Sequence, residues 1–337
     1  MPRKRYRRQT FKEQKALLNK LRRWSKRSVP VWGGLALILS TVLSLGEYCA
    51  WPVPSWSDLF AQAGLQPKLY ALESSEGANV RIHFIDVGQA DASLLECDGR
   101  FALIDAGLAG NSDELLYYLN KAGVQELDYL VMTHPHADHI GGMKDVLEQF
   151  PVQTLLLPSL PEQSEQTGQL KNTLQTAQEE QVPQQFMEQG NVYTLGQSTL
   201  TVLQGSIEDD NLNDLSPVLK FEALGVSCLF TGDGESPVEN AALEAGLDVS
   251  ADIFQAGHHG SYTSNSRAFL NAVVPKVVIV SCGKDNDYGH PHEAALRAFQ
   301  SVNAQVYRTD EQGDIVAYVD EAGALQFACE NANDLAA

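Results

Sequence analysis

"VMTHPHADHIGGM", residues 131–143, sets three histidines and an aspartate within six positions, after an apolar run and before Gly-Gly. The run leading in, "LDYLVMT", predicts a buried strand. His134 and His136 are two apart, so they leave that strand on the same side. Asp138 and His139 follow at the start of a helix continuing through "IGGMKDVLEQF". Two imidazoles can therefore hold one divalent ion while the carboxylate and third imidazole hold a neighbour. Imidazole with carboxylate suits zinc, iron or manganese. The stretch is half of a site, and the other half has to arrive from elsewhere in the chain.

Seven of the eight histidines fall in three groups: His134/His136/His139, His258/His259 and His290/His292. Each group begins a Gly- or Pro-marked loop after a predicted strand, where a rigid sheet can aim side chains into one cleft. Asp233 in "CLFTGDGE" also follows an apolar strand, between Gly232 and Gly234, and is expected to bridge both ions. In "FQAGHHGSYTS" one histidine is expected to bind metal, assigned to His258, leaving His259 to contact substrate or cap a loop. Asp105 in "LIDAG" is expected to fix the tautomer of a ligand imidazole by accepting its hydrogen bond. His290 in "YGHP" is read as a phosphate contact or proton donor and His292 as a helix cap. His83, beside Phe84 and Ile85, is read as a core histidine, and Asp86 and Asp91 as turn residues near the site.

Around these motifs, short β-rich runs alternate with helical patterns at 113–122, 142–149, 170–180, 237–245, 266–272 and 292–301. Apolar strand interiors with interspersed helices predict an α/β domain, its sheets covered by helices. Residues 80–329 form this unit, followed by a short tail at 330–337. The Gln/Glu-rich segment 162–185 is expected to be an exposed loop and helix over the site mouth.

H-x-H-x-D-H at His134–His139, Asp105 in "LIDAG", Asp233 in "TGD" and "HHGS" resemble the metallo-β-lactamase fold superfamily. More narrowly, "HFIDVGQADASLLE", "NDLSPVLKFEALGVSCLFTGD", "GHHGSYTSNSRAFL" and "YGHPHEAALRAF", in that order, are similar to the hydrolase domain of ComEC-type DNA-uptake proteins. The resemblance covers residues 80–319. It implies a four-layer αβ/βα sandwich with two divalent ions, zinc or manganese, at one rim. It implies catalysis through Asp138, His259 and His290 and metal binding by His134, His136, Asp138, His139, Asp233 and His258. Many superfamily members place another ligand histidine before the bridging aspartate, yet no histidine lies between His139 and His258. The ComEC-like pattern has a polar element there, matched by Asn213 and Ser216.

The N-terminal part is a different object. Residues 1–28 hold twelve of the 24 Lys/Arg and one of the 43 Asp/Glu, leaving 12 basic against 42 acidic residues in the remainder. No formal charge follows Arg27 until Glu47, close to the ~20 residues a spanning helix needs. A basic cytoplasmic segment (1–28), a transmembrane anchor (29–47), an irregular connector (48–79) and an extracytoplasmic domain are expected. A cleaved signal peptide is the rival, but "AQA" at 61–63 lies far beyond the apolar run. Five cysteines without CxxC spacing predict buried thiols rather than a zinc ribbon. Acidity outside the membrane argues against a general nucleic-acid-binding surface, which needs a basic footprint.

The expected function is a membrane-anchored, binuclear metal-dependent hydrolase of phosphodiesters, in which paired ions lower the pKa of a shared water. Nucleic acid and small or wall-polymer esters both remain as substrates, and a multi-pass channel protein as partner. The alternative is a non-catalytic metal-binding module assisting DNA uptake or envelope processes.

Overall fold

In the computed structural model, residues 69–160, 167–207 and 210–331 are described. The predicted basic segment, the anchor, most of the connector and most of the tail lie outside them. Among the described residues, no helix is long and apolar enough to cross a membrane.

Two sheets carry the domain. The first has eight strands: β1 (Val80–Phe84), β2 (Ser93–Cys97), β3 (Arg100–Ile104), β4 (Leu127–Val131), β5 (Val152–Leu157), β6 (Gln184–Phe186), β14 (Ile315–Val319) and β15 (Leu325–Cys329). Their order across the sheet is β15-β14-β1-β2-β3-β4-β5-β6. The second is formed by β7 (Val192–Leu195), β8 (Ser198–Gln204), β9 (Val218–Ala223), β10 (Val226–Phe230), β11 (Ile253–Gln255), β12 (Val277–Val280) and β13 (Gln305–Arg308). These run in the order β13-β12-β11-β10-β9-β8-β7.

Alternation along the strands explains the layers. Val80, Ile82 and Phe84 of β1 point between the sheets, where they meet Phe221, Cys228, Phe230, Ile253 and Ile279 of the second sheet. Strand residues facing outward pack under helices. Leu103, Leu130 and Leu155 lie beneath helices Ser112–Lys121, Met143–Gln149 and Gly168–Glu179. Leu229, Phe254 and Val278 lie beneath helices Ser236–Glu244, Arg267–Val273 and Glu293–Ser301. The result is helix, sheet, sheet, helix.

Three expectations change. The helix expected to start at Asp138 is two, Ala137–Ile140 and Met143–Gln149, parted at Gly141–Gly142. Tyr70–Ser74, inside the predicted irregular connector, is helical, and its Ala71 is buried with Val316 and Ala328. Helix Gly168–Glu179 buries Leu170 and Ala177 in the first core and does not line the site cavity, so it does not roof the mouth. Cys97, Cys228, Cys282 and Cys329 are buried free thiols, as their spacing predicts.

Sheet direction positions the chemistry. β3, β4 and β5 are mutually parallel, as are β10, β11, β12 and β13. Their carboxyl ends face one rim, where open α/β sheets bind ligands.

Candidate metal centre

Asp105 follows β3, His134 follows β4, Asp233 follows β10 and His258–His259 follow β11, so both sheets deliver donors to that rim. Two compact donor groups form there. One contains Asp91, His139, Asp233 and His259, and the other His134, His136 and Asp233. Asp233 belongs to both.

Its two carboxylate oxygens divide the imidazoles between them. Oδ1 faces His139 Nε2 at 3.2 Å and His259 Nε2 at 3.7 Å. Oδ2 faces His134 Nε2 at 3.7 Å and His258 Nε2 at 3.6 Å. His136 Nδ1 lies 3.0 Å from His134 Nε2, and Asp138 Oδ2 lies 3.5 Å from His259 Nε2.

Each ring is fixed through its other nitrogen. His139 Nδ1 donates to Asp105 Oδ2 at 2.7 Å. Asp105 also accepts from the Thr133 amide at 2.9 Å and its hydroxyl at 2.6 Å. The Thr133 hydroxyl lies 3.2 Å from His134 Nδ1. His259 Nδ1 donates to the Ser281 carbonyl at 2.9 Å, with Asp91 Oδ2 3.8 Å away. His258 Nδ1 faces Glu235 Oε1 and the Thr263 hydroxyl, each at 3.3 Å. In the neutral ring, donation from Nδ1 leaves a lone pair on the Nε2 that faces Asp233, so a cation entering the site displaces the proton that the carboxylates otherwise hold on His139 and His259.

His139 Nε2, His259 Nε2 and Asp233 Oδ1 are buried without a hydrogen-bond partner. Three orphaned donors of nitrogen and oxygen at one point are costly in a packed interior unless something else satisfies them. The residues present therefore fit divalent cations, held by imidazole and carboxylate.

Electrostatics points the same way. Burial disfavours a charged Asp233, yet His139 and His259 hold its carboxyl well below the usual range. Burial likewise opposes charge on His259, but Asp233 and Asp91 push it up to about 9. Burial and then His139 hold His134 well below the ordinary imidazole range. Asp233 is thus an anion already in place for a cation.

The backbone pays for this convergence locally. Asp105, His258 and His259 have φ of 57°, 51° and 53°, in the left-handed region that non-glycine residues rarely occupy. Consecutive left-handed residues splay adjacent side chains, which is how one dipeptide reaches both oxygens of Asp233. At Gly232 a Cβ would lie 2.8 Å from the Thr133 Cβ and from the Ser216 hydroxyl.

The remaining sequence-designated residues take stations around the donors. The Ser216 hydroxyl accepts from the Asp233 amide at 3.2 Å. Asn213 donates to Glu235 at 3.3 Å, and its Oδ1 is buried without a partner. His292 sits at the N-cap of helix Glu293–Ser301, with no side-chain capping bond, and accepts from the Tyr262 amide. His83 packs against Tyr118 and Glu96. Asp91, read as a turn residue, is buried in a donor group and accepts from Gln255 at 2.7 Å.

The site cavity, about 360 Å³, is lined by Gln89, His136, Asp138, Asn213, Asp233, His258, His259, Tyr288 and His290 among others. Gln89, Glu235 and Gln255 were not singled out from the sequence. Gln89 lies within "HFIDVGQADASLLE", a stretch that carries the resemblance without marking this side chain. Gln89 Oε1 accepts from the Gly283 amide at 3.0 Å, which orients the amide so that Nε2 faces His290 Nδ1 at 3.4 Å. His290 consequently carries its proton on Nε2. Burial and the neighbouring imidazoles of His259, His258 and His292 bring it down to about 4. It is a neutral N–H donor near pH 7.

Imidazoles and carboxylates converging at the strand ends of a four-layer αβ/βα sandwich form a candidate site for divalent cations. Residues 85–205 match the metallo-beta-lactamase superfamily, and the two-sheet fold is that superfamily's. The domain resembles the corresponding part of ComEC-type competence proteins. It is 31% identical over 268 residues to ComE operon protein 3 of Bacillus subtilis (strain 168), covering 73% of this chain and 34% of that protein. Recombination protein 2 of Haemophilus influenzae is 29% identical over 244 residues, covering 70% and 28%. Competence protein ComA of Neisseria gonorrhoeae is 32% identical over 230 residues, covering 68% and 30%. The chain spans about a third of the length of these relatives.

Proposed function

We propose that this domain is a binuclear metal-dependent phosphodiesterase, held outside the cytoplasm by an N-terminal membrane anchor at 29–47. The observation that carries the reading is the bridging position of Asp233, with two imidazole nitrogens at each oxygen. His134, His136 and His258 would hold one ion with Asp233 Oδ2. His139, His259 and Asp138 would hold the other with Oδ1. His258 thereby stands in for the missing middle histidine, and His259 becomes a ligand rather than a substrate contact.

When bound, a pair of divalent ions, zinc or manganese, supplies an acidified water and a positive field for phosphoryl oxygens. The chain's own residues do the rest. Asp105, Ser281 and Glu235 hold the imidazoles in the tautomer that binds cations. His290, steadied by Gln89, presents a neutral N–H to the departing oxygen. Asn213 Oδ1 offers an acceptor to a substrate or water hydrogen. Ser216 fixes the turn carrying Asp233.

A competence role is supported by the name of one relative, competence protein ComA, and a separate multi-pass channel as partner is part of the same proposal. The test is elemental analysis of the purified chain together with hydrolysis of bis(p-nitrophenyl) phosphate. Two ions per chain, with hydrolysis abolished in His136→Ala and Asp138→Ala, are expected. One tightly held ion and no hydrolysis would favour a non-catalytic metal-binding module. Wild-type rates in both variants would refute the mechanism.

A further inference from the structure

The rim of the cavity carries an aromatic feature that metal binding does not use. Tyr288 lines the cavity while 67% exposed. Its ring lies 5.6 Å from His290 at an interplanar angle of 20°. His290 lies 6.1 Å from His259 at 29°. Three nearly parallel rings thus run from solvent to a buried donor. Tyr262, 68% exposed, packs on His292 at 4.8 Å, and His292 lies 4.7 Å from His290.

Charge beside the site narrows what those rings could serve. The adjoining hollow is lined by Lys284 and Arg308 together with Asp285, Asp310 and Glu311. Arg308 is already paired with Asp310 and Glu311. Tracking a long strand by its phosphates needs a run of uncompensated cations, and this hollow offers carboxylates in greater number. Recognition of the non-reacting part of a substrate falls instead to flat, weakly polar surface. Tyrosine supplies that surface with little rotamer entropy to lose.

Resting on the phosphodiesterase reading, we propose that Tyr288 is the stacking platform for a nucleobase. The substrate is then a short single-stranded nucleotide ester, recognised by its base rather than by a row of phosphates. Every base has a π-face, so the platform selects nucleotides over simple phosphate esters without choosing among bases. A base on the solvent-facing side of Tyr288 extends the ring ladder at the mouth of the cavity that His290 and the donors line.

The test compares thymidine 5′-monophosphate with deoxyribose 5-phosphate, which differ only by the base. Binding to the full-length, metal-loaded protein is measured by calorimetry. The wild type is expected to prefer the thymidine compound by roughly 5- to 150-fold, the range of base–aromatic stacking. Tyr288→Ala should erase that preference and Tyr288→Phe should keep it. Equal affinity of the wild type for both ligands, or a preference that survives Tyr288→Ala, overturns the proposal. So does binding of oligothymidylate that falls steeply with salt yet ignores Tyr288→Ala. Bis(p-nitrophenyl) phosphate hydrolysis is scored separately. Its absence beside an intact base preference removes the phosphodiesterase reading and leaves the stacking site standing.

Discussion

Asp105 accepts from the Thr133 amide, the Thr133 hydroxyl and His139 Nδ1 while its own backbone sits at φ 57°. An aspartate held in that conformation by three donors fixes the His139 ring, and on the proposed reading it would act on metal through that ring. Asp105→Asn replaces one accepting oxygen by a donor, so His139 or Thr133 loses its partner. Metal affinity is expected to fall roughly 10- to 100-fold, read by chelator competition, with the circular dichroism spectrum retained. Several of these stations are legible in the sequence: H-x-H-x-D-H, the aspartate of "TGD" and that of "LIDAG" each announce a donor at a strand end. The histidine pair was not resolvable that way. Adjacent residues with identical side chains differ only in where the backbone aims them, and two successive left-handed residues have no sequence signature when neither is glycine. Asp91 was missed for a related reason, since burial beside His259 depends on β11 and β12 arriving from 160 residues away or more.

At the scale of elements, the tight spot is the crossing of the β10 turn over the β4 turn at Gly232. Its φ of 49° and the 2.8 Å approach to Thr133 and Ser216 leave no room for a methyl group. Gly232→Ala should destabilise the fold by about 1–3 kcal/mol, seen as a lower denaturant midpoint with an unchanged slope. It should also cost metal binding, because Asp233 is the next residue. Helix positions were legible to within one or two residues from apolar spacing. The pairing order of strands was not: β1 lies between β2 and β14, and its partner in β14 is more than 230 residues distant. Period-two alternation says that a strand is buried, not which neighbour it takes.

For the molecule as a whole, Asp314 contributes a pH dependence remote from the donors. Asp314 accepts from the Asp86 amide at 2.8 Å. Burial above all, with Asp86 and Glu330 nearby, pushes its carboxyl up to about 7. Its unfolded value is about 3.9, so the folded state favours the neutral acid. That stabilisation is complete below about pH 4 and is lost as pH rises through 7. Asp314→Asn keeps an acceptor for Asp86 without the charge. It should raise stability by roughly 1–3 kcal/mol at pH 8 and leave it unchanged at pH 4, measured by urea titration at both values. The acidity that makes such penalties common was plain from composition, but which carboxylate bears one depends on the packing around β14.

The donors are split between the two halves of the sandwich: His134, His136, Asp138 and His139 hang from the first sheet, Asp233, His258 and His259 from the second. Bound cations would therefore act as rivets across the seam. Ions at 100 times their dissociation constant would add about 2.7 kcal/mol. EDTA should lower the melting temperature accordingly. Amide hydrogens of the loops after β4 and β11 should then exchange faster in concert, because each loop would lose the anchor the other provides.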